Sequence, residues 1–400
     1  MEIRRLREED LPQLYRLNTV VFNNRRDFSK EEYKQDPLAS PAEWSWGVFD
    51  KGKLLSGMTE IKYLMQFDGH RVPMSGIAGV GTFPEARKGG LVKAIFEKLL
   101  SEAYQEGVVF SCLAPFSYSY YRQFGYEVAC ARTRLMLPLR NFSHLKIRGE
   151  FTQIFPGDDC SALAEVHRKY IEGINHGICR DFWPDNTAWK VFSRNDPYAT
   201  GWFLYLWRNE EGEPGGYIKY EVQKKDDGNI VYVSDLAFVN PDALQGVLSI
   251  IGVLGAQIEK FQWLMPSFLD SLDFLSIEWD FQQQIVLRDM TRIINVKRAL
   301  ELMRRPTGEG EYIIEVDDKL IPANKGKFLV EYGPEGSRVS LSQREAHIRC
   351  DIPILSQLVT GYRTLENALF SRPSGLEVLG NRETLDRVFT QRPQHLTEYF

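Results

Sequence analysis

Gly79-Val80-Gly81-Thr82-Phe83-Pro84-Glu85-Ala86-Arg87-Lys88-Gly89-Gly90-Leu91 is the stretch on which the reading of this 400-residue chain turns. A β-rich run from Val72 ends at Pro84, and a loop with two basic residues and two glycines follows. Leu91, Ile95, Leu99 and Ala103 then recur at helical spacing, which predicts a helix over 87–106. Glycines let backbone N–H groups approach an anion with no Cβ in the way, and a helix N-terminus adds partial positive charge. The loop therefore reads as a pyrophosphate cradle. The dinucleotide fingerprint GxGxxG fails, because Pro84 stands where its third glycine belongs, and no Gly-Lys-Ser/Thr supplies a Walker loop. Taken by itself, the loop also suits a glycine-rich turn with solvated basic side chains.

Outward from this stretch, the first segment predicts a strand at 2–6 and a helix N-capped by Asp10, with Leu14, Leu17, Val20 and Val21 on its face. A hairpin follows, 46–49 and 54–63, around Asp50-Lys51-Gly52. After the cradle come a strand at 108–113 and a short helix at 118–124 stopped by Gly125. The order then repeats. Asp159, Leu163 and Val166 match Asp10, Leu14 and Leu17 at an offset of 149, and Pro241-Asp242 matches Pro84-Glu85 at 157. We read a tandem duplication of one mixed α/β module, although two unrelated modules of one architecture would give the same order. The cradle's counterpart, Asn240-Pro241-Asp242-Ala243-Leu244-Gln245-Gly246-Val247, has no Arg or Lys and adds an acid. An anion is repelled there, so the second copy is expected to bind no coenzyme. The apolar run 247–256 is expected as a buried helix. From about Met290, a helix at 296–303, strands at 312–316 and 328–332, and a helix at 354–360 point to an α+β domain.

Composition narrows the classes. Lys+Arg 49 against Asp+Glu 54 leaves a net charge of −5, which argues against nucleic acid as the main partner. Five cysteines (112, 130, 160, 179, 350) include no CxxC, and six histidines form no HExxH, so neither a disulfide framework nor a metal site is expected. The N-terminus MEIRRLREED has no apolar h-region, and the most apolar run is about half a bilayer span. The expectation is a cytoplasmic protein with no membrane span.

Arg87-Lys88-Gly89-Gly90 resembles the Arg-x-x-Gly-x-Gly/Ala phosphate-binding motif of GCN5-related (GNAT) N-acetyltransferases, with Val92 in the last small position. Tyr121-Arg122-Gln123-Phe124-Gly125-Tyr126 is similar to the family's aromatic Tyr-x-x-Phe-Gly-Tyr. Tandem modules plus a C-terminal domain ending in Phe400 look like the enhanced intracellular survival (Eis) type, and the resemblance covers essentially the whole chain.

The resemblance implies an α+β (mixed α/β) fold. Residues 1–145 are then a catalytic GNAT domain and 146–286 a second GNAT-like domain with a degenerate coenzyme site. Residues 287–400 are a sterol-carrier-protein-like domain that delivers the C-terminal carboxylate. It implies acetyl-CoA as cosubstrate, with the backbone of Val80, Gly81 and Thr82 on the pantetheine arm. Arg87, Lys88, Gly89, Gly90, Leu91, Val92 and Lys93 meet the pyrophosphate, and Phe116 and Ser117 lie near the acetyl group. Tyr121 is the implied general acid and the Phe400 carboxylate the implied general base. The implied acceptor is a primary amine: an aminoglycoside, a polyamine or a lysine. The loop 22–29, with Asn23, Asn24, Arg25 and Arg26, falls where acceptor contacts are expected, and its arginines disfavour a polycation. A homo-oligomer, trimeric or hexameric, is also implied. The rival of another class is a lipid carrier or protein-binding module; an apolar tunnel in the third domain favours it and a filled core opposes it.

Overall fold

The structure is a computed structural model and describes residues 1–23, 41–182, 187–194, 196–225, 228–255, 257–269, 272–275, 282–371 and 373–398. Two compact units emerge. One comprises Met1–Cys130 and Arg288–Arg392 with Glu398; the other comprises Ala131–Leu287 and Pro393–Thr397.

In chain order the first elements are β1 (Glu2–Arg5), α1 (Leu11–Phe22), β2 (Ser45–Asp50), β3 (Lys53–Phe67) and β4 (His70–Thr82). Then follow α2 (Leu91–Gln105), β5 (Phe110–Leu113), α3 (Tyr118–Arg122) and β6 (Glu127–Pro138). Strands β1 to β4 form an antiparallel meander, and β5 joins β4 in parallel. The turn at Asp50-Lys51-Gly52 places Lys51 and Gly52 at positive φ, which matches the right-handed twist of the hairpin strands. Helix α2 buries Leu91, Ile95, Phe96, Leu99, Leu100 and Ala103 against Trp46, Val48 and Met58. Full burial of each large side chain contributes about 1.5–3 kcal/mol.

The second set is β7 (Glu150–Gln153), α4 (Ser161–Ile171), α5 (Thr187–Phe192), α6 (Pro197–Thr200), β8 (Trp202–Arg208), β9 (Pro214–Lys225) and β10 (Gly228–Phe238). Helix α7 (Pro241–Leu248), β11 (Ile258–Pro266) and β12 (Gln282–Ile293) complete it. Strand pairing repeats that of the first unit, with β7 to β10 antiparallel and β11 parallel to β10. The sixth place is exchanged. In the first unit it is held by Met290–Ile293 of β12, antiparallel to β5; in the second by Arg132–Pro138 of β6, antiparallel to β11. Each unit thus takes its last strand from the segment that chain order gives to the other module.

The last set is α8 (Val296–Leu302), β13 (Gly310–Asp317), β14 (Gly326–Gly333), β15 (Gly336–Leu341), β16 (Ile348–Asp351), α9 (Ile352–Val359), α10 (Leu365–Ser371), β17 (Leu376–Val378) and α11 (Arg382–Val388). Its sheet has the order β15-β14-β13-β16-β17. The cavity lined by Leu300, Met303, Tyr312, Val330, Tyr332 and Val388 measures about 10 Å³, at the lower limit for one water molecule. No described helix is long and apolar enough to cross a membrane.

Three local expectations are corrected. The helix expected over 87–106 starts at Leu91, because Gly90 adopts φ +70° and Lys88 φ +67°, which are not helical. The apolar run 247–256 is the end of α7 followed by a 3₁₀ turn, Ser249–Val253. Asp10 precedes α1 but does not cap it. Its carboxylate accepts from the Arg7 N–H (2.9 Å) and from Arg4 (2.6 Å), and the Arg4 guanidinium holds it below the usual carboxylate range.

In the first unit a buried ion pair ties the β3–β4 turn to the C-terminal domain. Arg392 donates to Asp68 (2.6 Å) and to the carbonyls of Leu358 (3.0 Å) and Val359 (2.7 Å). Both side chains are almost fully buried. We predict that Asp68→Ala, which strands the Arg392 charge, destabilises the first unit by about 3–5 kcal/mol. Denaturant unfolding followed by tryptophan fluorescence measures this, and an unchanged midpoint contradicts it.

Candidate active site

Strands β4 and β5 pair only from Met74↔Phe110 to Ile77↔Leu113. Beyond Leu113 strand β5 ends, while β4 runs on to Thr82. The β3–β4 register shifts between Gly57↔Gly81 and Thr59↔Ala78, so Met58 faces both Gly79 and Val80. This is a β-bulge, and Gly79 carries its positive φ (+60°). Bulge and parting together open a wedge whose wall is the backbone of Val80, Gly81 and Thr82. Ser56 fixes that wall by donating to the Gly81 carbonyl (2.8 Å). At Gly81 a Cβ would lie 2.9 Å from a Val21 methyl, so the absence of a side chain lets α1 close the wedge from one side.

The wedge continues into a cavity of about 710 Å³. Val80, Gly81, Thr82, Arg87, Lys88, Gly89, Gly90, Leu91, Val92, Lys93 and Phe116 all line it. Eleven of the twelve residues that the sequence assigns to the coenzyme are therefore brought together. The twelfth, Ser117, is the N-cap of α3, its Oγ accepting from the Tyr120 N–H. Left-handed Lys88 and Gly90 alternate the chirality of the loop, the geometry that turns successive N–H groups toward an anion. Gly90 is the N-cap of α2, and no side chain among the described residues caps that helix. Its first-turn residues Leu91, Val92 and Lys93 line the cavity together with Arg87 and Lys88. This fits a pyrophosphate by charge, room and donor supply.

Three aromatic rings also line the cavity, those of Phe116, Tyr120 and Phe124, together with Gln123. Phe116 is 72% exposed, which is the cost of presenting a ring to the cavity. Tyr121 is buried beside these rings, with ring centroids 5.4 Å from Phe116, 5.3 Å from Tyr120 and 6.3 Å from Phe96, all edge-on. Burial, with Tyr120 beside it, raises the Tyr121 phenol above its ordinary value.

The second unit keeps the frame and changes its contents. Strand β10 carries its own bulge, the register jumping from Val233↔Tyr220 to Asp235↔Lys219. Asp235 accepts from Arg180, whose guanidinium lies over the rings of Trp189 (5.2 Å) and Phe192 (4.4 Å). At the helix start, Asn240 accepts from the Ala243 N–H (2.8 Å) and so occupies the donor that an anion needs. Asp242 pairs with Arg148 (2.6 Å). The local cavity measures about 240 Å³ and carries Glu165, Glu213 and Asp242.

The second unit also holds residues 393–397. Asn175 bridges Gln394, with its N–H donating to the Pro393 carbonyl and its carbonyl accepting from the His395 N–H. Tyr170 and His395 share a hydrogen bond (2.9 Å), Arg132 donates to the Leu396 carbonyl, and the Ile178 N–H donates to Thr397 (3.0 Å). Phe400 lies outside the described residues, as do Asn24, Arg25 and Arg26; Asn23 ends α1 in a left-handed conformation.

Sequence reading missed Val21, Phe22, Tyr120, Gln123 and Phe124 as lining residues. The alternation Gly79-Val80-Gly81 was the available signal for the bulge; nothing local signals that the end of α1 reaches the wedge.

Comparison with known proteins adds three domain matches. Residues 2–129 and 180–293 each match an acetyltransferase (GNAT) domain, and 296–397 match a sterol carrier protein domain. No curated protein matches the chain. Among solved structures, a GCN5-related N-acetyltransferase from Anabaena variabilis is 23% identical with a TM-score of 0.85, covering 100% of both chains. A probable N-acyltransferase of Enterococcus faecalis is 21% identical with a TM-score of 0.84, covering 100% of this chain and 99% of that one. Eis1 from Mycobacterium abscessus is 18% identical with a TM-score of 0.80, covering 100% of both. These likenesses establish a shared three-domain fold.

We predict one acetyl-CoA site per chain by calorimetry; two equivalent sites contradict the asymmetry between the modules. Gly90→Asp and Gly90→Asn impose the same backbone cost, and at Gly90 a Cβ meets no atom within 4 Å. Their difference isolates charge. The Asp variant is expected to bind acetyl-CoA at least about tenfold more weakly than the Asn variant, or roughly 1.4 kcal/mol.

Proposed function

We propose that this chain, which belongs to the GCN5-related N-acetyltransferases and has the Eis-type fold, transfers acetyl from acetyl-CoA to a primary amine in its first module. The observation that carries the reading is the asymmetry of the duplication. One copy has an uncapped helix start, basic residues and a cavity of about 710 Å³; the other has a capped start, an acid and about 240 Å³.

Acetyl-CoA supplies an activated thioester. The residues of this chain supply position and proton handling. Backbone groups at Val80 to Thr82 hold the arm, and an N–H of this wall meets the oxyanion that develops on the carbonyl. The departing thiolate, whose parent thiol titrates near about 8.5, needs a proton. Tyr121 is the assigned donor. Its raised value keeps it protonated through neutral pH; because its phenolate is a stronger base than the thiolate, it serves by donating a hydrogen bond to the departing sulfur as the C–S bond breaks, and the amine's released proton completes the thiol. The Phe400 carboxylate is the assigned base. With a reference value of about 3.3–3.7 it is a weak one, and it serves by orienting the ammonium and relaying its proton through water.

The acceptor class includes aminoglycosides, polyamines and lysine side chains. The alternative is a lipid carrier or protein-binding module; the cavity between Leu300, Tyr312 and Tyr332 in the C-terminal domain, about 10 Å³, is itself too small for a lipid chain.

Two outcomes test the roles. Tyr121→Phe, and separately a few residues added after Phe400, are each expected to lower kcat by about 10²–10⁴-fold with acetyl-CoA binding nearly intact. Native turnover in the extended enzyme rejects the carboxylate. Because burial raises Tyr121, its ionisation produces no alkaline fall in kcat below pH about 10. A decline with an apparent pKa near 8 that vanishes in Tyr121→Phe contradicts this.

A further inference from the structure

The turn that carries Tyr121 is gripped by a residue distant in sequence. We infer that Arg292, seated on Asp318, is a positioning residue for Tyr121, so that the C-terminal domain braces the proton donor. The inference rests on the role of Tyr121 proposed above.

The contacts form one chain inside the first unit. The Tyr121 carbonyl accepts from the N–H groups of Phe124 (3.0 Å) and Tyr126 (3.3 Å), and the Gly125 N–H donates to the Arg122 carbonyl (3.0 Å). At the middle of this turn the Phe124 carbonyl accepts from Arg292 Nη1 (2.7 Å). Arg292 Nη2 then donates to both oxygens of Asp318 (2.8 and 2.7 Å). Asp318 is held in turn by the N–H groups of Leu320 (2.9 Å) and Ile321 (3.2 Å) and by Asn324 (2.9 Å). Arg292 and Asp318 side chains are each 1% exposed.

Gly125 records the same constraint. A Cβ there would lie 1.9 Å from Arg292 Nη1, so the guanidinium occupies the space that any other residue would fill. Its φ of +83° disfavours a side chain independently. An apolar residue at 292 could fill this space but could not fix the Phe124 carbonyl, whereas a charge-assisted bond sets its position and direction. Burying a charge for this purpose is costly unless it is fully paired, and the Asp318 carboxylate supplies the pairing. Displacing the carbonyl moves both N–H groups that hold the Tyr121 backbone, and with them the phenol.

The test uses the full chain with Asp318→Asn and Arg292→Lys, each made in the native and Tyr121→Phe backgrounds. In the native background kcat is expected to fall about 10- to 100-fold, as for small misplacements of a catalytic group, while the calorimetric Kd for acetyl-CoA stays native. In the Tyr121→Phe background the same changes are expected to cost less than about threefold, because the group they position is gone. Equal losses in both backgrounds overturn the inference and leave Tyr121 as proton donor. No loss from Tyr121→Phe alone rejects the proton donor, and the positioning role with it. Hydrogen exchange keeps the brace testable if either variant fails to fold. In the native chain the amides of Phe124, Gly125 and Tyr126 are expected to exchange no faster than those of Leu320 and Ile321. Faster exchange overturns the brace whatever the kinetics.

Discussion

Two parallel strands that stop pairing before one of them ends set the terms for the rest of this structure. Past Ile77 and Leu113, β4 has no parallel partner, and its backbone groups face a wedge. Unpaired backbone donors and acceptors in a partly enclosed space seek a polar, extended ligand. The bulge at Gly79 and Val80 turns that requirement into a defined wall, and the uncapped start of α2 adds an anion site at one end of it. The helix, the aromatic rings and the α1 end are arranged around a gap that the sheet cannot fill with itself.

The duplicated module makes a comparison within one polypeptide. Strand order, parallel pairing and even the bulge are kept in the second unit, so these belong to the fold. What differs is who satisfies the exposed groups. Asn240 caps the helix and Arg180 neutralises Asp235, both from within the chain. A frame that satisfies its own polar groups has no need of a ligand, and the second unit instead holds residues 393–397. The same architecture carries a basic, uncapped helix start in one copy and a capped one in the other, and a few side chains make the difference.

Within the first unit, buried charge connects the C-terminal domain to the module. Arg292–Asp318 and Arg392–Asp68 are nearly inaccessible to water, and each guanidinium also donates to backbone carbonyls through its Nη atoms. Such pairs are weak sources of net stability but strong sources of specificity, since any other arrangement leaves a bare charge in a medium of low polarisability.

How much of this was legible beforehand follows from the range of the forces involved. The cradle loop, the hairpins and the repeat were readable, because glycine placement, turn residues and hydrophobic periodicity are local and act within one or two turns of chain. The expectation of a coenzyme-free second copy rests on equally local signals, since Leu244 and Gln245 stand where the first copy has Arg87 and Lys88. Gly125 was legible as a helix stop but not as the seat of Arg292, which lies 167 residues away. The strand exchange between the modules was invisible, because β6 and β12 have the same pattern whichever sheet they complete. The start of α2 at Leu91 required knowing that Lys88 and Gly90 take left-handed angles. The sequence by itself determined where the glycine-rich basic loop lies and that its counterpart in the second copy lacks Arg and Lys. Only the tertiary structure decided which side chains face the wedge, which residues pack against the turn of Tyr121, and where residues 393–397 are anchored, because buried pairing and long-range packing depend on residues that meet only after the chain has folded.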